Sequence, residues 1–139
     1  MGLLDGLFGK GESAPEGARG GKSFTLNTSF RPMRLAARSD NSVELIIELQ
    51  NISGQSQLCS VVVEVPKGLG FDGVGLHKTK ELRIGQLPAG ETKRISVGLH
   101  ASSQTPAGNY RIQITAYSHY RDYSHVLNSA SKPAELRVV

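Results

Sequence analysis

The chain has no tryptophan and only one cysteine, Cys59. With a single thiol it can form no internal disulfide, so the fold must hold through its core alone, and an oxidising compartment is not implied. Aromatic residues make up 6% of the sequence, and no apolar run approaches the ~20 residues of a membrane-spanning helix. The N-terminus lacks both the basic start and the apolar stretch of a secretory signal, so an intracellular, cytoplasmic location is expected. Charge of one sign is also scarce. The net charge of +4 over 139 residues is spread along the chain, and the longest basic clusters are Lys78-Thr-Lys80 and Lys93-Arg94. A nucleic-acid binder more often gathers its basic residues on one face, which leaves weak nucleic-acid binding as a third-ranked reading. Phosphate-cradling glycine loops and paired catalytic carboxylates are missing too, so the sequence reads as a non-enzyme that needs no cofactor.

What is present falls into three parts. Residues 1–10, MGLLDGLFGK, place Leu3, Leu4, Leu7 and Phe8 on one face of a short helix. Three glycines interrupt it, and helix nucleation is costly, so such a helix needs a surface to lie on. A membrane, a protein partner and the flank of its own domain are all open. Lysine and arginine are nearly absent from the helix, which weakens the membrane option. Residues 11–23 are rich in Gly, Ser, Ala and Pro and read as a flexible tether. Residues 24–139, about 115 in all, are enough for one self-sufficient core.

In that third part the apolar pattern has period two, the mark of half-buried strands. Val43, Leu45, Ile47 and Leu49 share a face, as do Cys59, Val61, Val63 and Val65. Ile95, Val97 and Leu99 repeat the pattern, and so do Tyr110, Ile112, Ile114 and Ala116. Weaker strands are expected over 33–38, 81–84 and 135–139. Turn residues punctuate them at Ser53-Gly54, Pro66-Lys67-Gly68, Pro88-Ala89-Gly90 and Pro106-Ala107-Gly108. About seven short strands without a long helix between them predict an all-β antiparallel sandwich.

Four turn motifs carry a family resemblance. They are Asn51-Ile52-Ser53 at a strand end, Pro66-Lys67-Gly68-Leu69, Leu87-Pro88-Ala89-Gly90-Glu91, and Pro106-Ala107-Gly108-Asn109-Tyr110 leading into a strand. In this order they resemble the immunoglobulin-like modules grouped as the bacterial cell-adhesion-related domain (CARDB) and the NPCBM-associated domain of alpha-galactosidases. The resemblance spans roughly residues 33–117 and implies an immunoglobulin-like sandwich with a tyrosine corner at Tyr110. These motifs concern turns and imply no ligand.

Outside that pattern lies YSHYRDYSH, residues 117–125, with three of the four tyrosines and two of the four histidines. Sixteen residues separate Tyr117 from the last expected strand at Ala134, more than a hairpin needs. If extended, the stretch puts Tyr117, His119, Arg121, Tyr123 and His125 on one side and Tyr120 on the other. Tyrosine, histidine and arginine together form a typical recognition composition. Tyr117, His119, Tyr120, Arg121, Tyr123 and His125 are therefore the candidate partner-binding residues, for a protein partner or a second copy of the chain. Tyrosines can equally well cover the sheet and pair across strands, with Val126 and Leu127 filling a gap at the sandwich end. A small-ligand or metal site on His119, Asp122 and His125 is the rival reading, although that spacing matches no standard zinc pattern. The expected function is thus a protein-interaction or scaffolding module localised by its N-terminal helix, with peripheral membrane contact as one option.

Overall fold

The computed structural model describes residues 23–72 and 77–139. The helix expected over 1–10 and the tether over 11–23 lie outside the described residues, Ser23 apart.

Eight strands follow one another with no helix among the described residues: β1 Phe24–Arg31, β2 Arg34–Leu35, β3 Asn41–Asn51, β4 Gln57–Glu64, β5 Thr79–Leu87, β6 Thr92–Ala101, β7 Gly108–His119 and β8 Val126–Val138. They form two sheets, one in the order β1-β3-β6 and the other β2-β8-β7-β4-β5. Every pairing is antiparallel except β2 with β8, which is parallel.

The inner faces of both sheets feed one core. Leu45, Ile47 and Leu49 from β3, Val61 and Val63 from β4, Leu99 from β6, Ile112 and Ile114 from β7 and Leu136 from β8 are all buried in it. The alternating residues of the sequence therefore face inward as a set, because a two-residue period places every second side chain on one face of a strand. Cys59 belongs to this core, where burial pushes its thiol up to about 11.

The four turn motifs act as braces at the two ends of the sandwich. Asn51 is fully buried, and its amide nitrogen donates to the carbonyls of Gln55 and Leu87, both at 2.8 Å. Its side-chain oxygen accepts from the backbone N–H of Ser53 at 2.9 Å and from the Ser53 hydroxyl at 2.7 Å. One side chain thereby ties the β3–β4 turn to the end of β5. At the other end, the Tyr110 hydroxyl donates to the Pro106 carbonyl at 2.6 Å, forming the tyrosine corner. Its ring presses on Gly68, where φ is +104° and an added Cβ would lie 2.9 Å from a ring carbon. Only glycine meets both conditions.

Three expected strands differ in extent. The strand over 33–38 shrinks to β2, because Ala36 to Asp40 form a loop clamped by Asn41. The Asn41 side chain accepts from the Ala36 N–H at 2.9 Å and donates to the Ala36 and Ser39 carbonyls at 3.0 and 2.9 Å. β5 runs beyond 81–84 at both ends. The largest correction is β8, which starts at Val126 rather than near Ala134, so the expected sixteen-residue loop is a hairpin with a short turn. Its first half lacks an apolar alternation because it is a sheet edge. The positions that would face the core there are Asn128, Ala130 and Lys132. Asn128 donates to the Ser23 hydroxyl at 3.5 Å and Lys132 to the Leu26 carbonyl at 3.3 Å, reaching the neighbouring sheet through polar contacts.

Candidate functional site

The turn that joins β7 to β8 sits at the end of the sandwich where β3 and β7 finish and β1, β4 and β8 begin. Along β7 the side chains of Thr115, Tyr117 and His119 face outward and those of Ala116 and Ser118 inward. Two irregularities break the register beside this point. Ser118 pairs with Asn128 and His119 with Val126, leaving Leu127 as an extra residue in β8. Likewise Cys59 pairs with Gly85 and Ser60 with Arg83, leaving Ile84 as an extra residue in β5. Such bulges bend a strand and leave backbone groups outside the ladder.

The freed Gly85 N–H, on a residue with φ +88°, donates to the Tyr123 hydroxyl at 3.0 Å. Tyr123 therefore reaches back from the turn across β4 to β5. Its ring meets that of His119 edge-on at 5.1 Å, and the Arg83 guanidinium lies over it at 4.7 Å. Beneath this layer His119 is only 6% exposed, and its Nε2 is hydrogen-bonded to the Ser60 hydroxyl at 2.7 Å. Arg83, Tyr123 and His119 thus make a stack that seals the outer face of the sheet under the turn.

The turn also braces itself. The Tyr120 N–H donates to the His125 carbonyl at 2.8 Å and the Asp122 N–H to the Tyr120 carbonyl at 2.8 Å. One carboxylate oxygen of Asp122 accepts from the Ser124 N–H at 3.0 Å, from the Ser124 hydroxyl at 2.6 Å and from His125 Nδ1 at 2.8 Å. The Ser124 hydroxyl is the largest influence, followed by His125, and together they hold the Asp122 carboxyl at about 2. Arg121 adopts a left-handed φ of 71°, and its guanidinium lies 5.1 Å from the centre of the Tyr120 ring.

This geometry divides the candidate residues into two groups. Tyr120, Arg121 and His125 point into solvent, whereas His119 and Tyr123 form the support and Tyr117 lies half-buried on the sheet. The expected alternation, with Tyr117, His119, Arg121, Tyr123 and His125 on one side, does not hold. The strand ends at His119, and beyond it the turn, with a left-handed residue at Arg121, resets the side-chain direction. Val126 and Leu127, read as gap fillers, are instead 56% and 54% exposed, because the bulge turns this part of the edge strand outward. Arg83, Ser60 and Gly85 entered no sequence reading, since nothing local in β4 or β5 signals a partner thirty or more residues away. Of the residues in the rival reading, His125 is paired with Asp122 while His119 is engaged by Ser60. Among the described residues no three His, Cys, Asp or Glu side chains come together in a group that could hold a metal.

Comparison with solved structures places the fold. The chain is similar to native alpha-2-macroglobulin from Escherichia coli, in a crystal structure spanning domain MG7 to the C-terminus, with a TM-score of 0.60 and 15% identity. The match covers 84% of this chain and 17% of that one, so the chain spans about a sixth of its length. At this identity the likeness shows a fold, an immunoglobulin-like β-sandwich. No known family pattern and no curated protein sequence matches the chain.

Proposed function

We propose that this chain is a non-enzymatic interaction module whose binding surface for a protein partner is the β7–β8 turn. The carrying observation is that the turn is fixed from within while its outer residues are exposed. Asp122 braces the backbone and Tyr123 pins the turn to β5, which leaves Tyr120, Arg121, Val126 and Leu127 presented on a rigid base. Ordering a loop before binding removes part of the entropic cost of association. Tyrosine and arginine are also the side chains most often found to dominate binding energy. We further propose a cytoplasmic protein whose residues 1–10 dock reversibly on a membrane or a partner through Leu3, Leu4, Leu7 and Phe8.

The test is a triple substitution, Tyr120→Ala, Arg121→Ala and Leu127→Ala. None of these side chains belongs to the support, so the melting temperature should stay unchanged while a partner captured stoichiometrically by the native chain is lost. Retention of that partner at native affinity would refute the role of the turn.

A further inference from the structure

Six large apolar or aromatic side chains are exposed among the described residues, and four of them stand at one end of the sandwich: Ile52, Tyr120, Val126 and Leu127. Ser23 joins the two strand ends that carry Ile52 and Leu127. Its carbonyl accepts from the Ile52 N–H at 2.9 Å, and its hydroxyl accepts from Asn128, next to Leu127, at 3.5 Å. Ser23, the first of the described residues, therefore lies beside Ile52 and Leu127 of this apolar set.

The 22 residues before it carry their own apolar set, Leu3, Leu4, Leu7 and Phe8. Between Phe8 and Ser23 lie residues 9–22, with a tether-like composition. A flexible chain of that length has a root-mean-square span on the order of 20 Å, comparable to the width of the sandwich end. Short flexible tethers also hold their ends at millimolar effective concentration, enough to favour a weak apolar contact that would fail between separate molecules.

We infer that residues 3–8 of the same chain seat on the patch formed by Ile52, Tyr120, Val126 and Leu127. The seat goes beyond the proposed function and stands without it, since it needs only the position of Ser23 and two complementary apolar surfaces. Where a partner also uses the turn, the N-terminal segment competes with it, and the same leucines become free for docking elsewhere when the partner wins.

The experiment uses the full chain with Gly9→Cys carrying a nitroxide label, the native Cys59 being buried in the core. In an isotope-labelled sample the amide signals of residues 52, 120 and 126–128 should lose most of their intensity. The loss should disappear in the same chain with Leu4→Glu and Leu7→Glu. It should persist unchanged on dilution, and it should be absent from a mixture in which only the molecules without isotope carry the nitroxide. Broadening that survives the two glutamates reflects tether proximity and overturns the inference, as does broadening centred on another face. Transfer of the effect between molecules in the mixture assigns the patch to a second copy and overturns it too. Broadening that appears only after lipid vesicles are added assigns the leucines to a membrane and overturns it as well.

Discussion

At the residue scale, Asp122 shows how one exposed carboxylate can organise a turn. Its hydrogen bonds to Ser124 and His125 favour the charged form and hold the carboxyl at about 2, below the ~3.9 of an unfolded chain. A depressed value means that the ionised carboxylate stabilises the turn fully above the unfolded value, and that this contribution fades as pH falls toward the folded value. The Ser124 amide and the His125 ring should accordingly report a transition with a midpoint near 2 in an acid titration followed by NMR. A midpoint at the ordinary carboxylate value would mean that the network does not form in solution. Asn51 makes a related point about legibility. The sequence marks it as a turn residue, but a single Asn-x-Ser cannot reveal that the amide is fully buried and reaches Leu87 on another strand.

At the scale of elements, the β7–β8 hairpin is fastened to β5 by one phenolic oxygen. Tyr123→Phe keeps the ring between His119 and Arg83 but leaves the Gly85 N–H without its partner. The loss should be about 1 kcal/mol of stability, the usual net contribution of one hydrogen bond, with faster hydrogen exchange at Gly85 and across 120–125. Exchange at Gly85 equal to that of the native chain would show that the pin carries no load. The strands themselves are readable wherever both alternation and burial coincide, as in β3, β4, β6 and β7. Half of β8 escapes such a reading because an edge strand with polar inward positions has no apolar period. The bulges at Cys59/Ser60 and Ser118/His119 are invisible for a different reason, since they arise from register between strands rather than from any local composition.

For the molecule as a whole, the single core predicts the chemistry of the lone thiol. Cys59 is fully buried and its thiol sits at about 11, so at pH 8 it is both shielded and protonated. Alkylation of the native protein at that pH should be negligible over hours and complete within minutes in denaturant. Rapid modification without denaturant would mean that the two sheets separate far more easily than their shared core implies. The sandwich is legible because its two layers both obey the same alternating pattern. The proposed binding surface is only partly legible, since its outward residues are chosen by folding of the turn, which presents Tyr120, Arg121 and Leu127 and withdraws His119 and Tyr123.

The border of the larger sheet along the first half of β8 has one more implication. There Lys132 extends its ammonium to the Leu26 carbonyl and Pro133 offers no N–H. A foreign strand approaching that rim would have to evict a cation and accept a gap in its ladder, which discourages growth into ribbons or fibrils. The exposed apolar residues of the β7–β8 turn thus stand beside a rim that resists the addition of a strand.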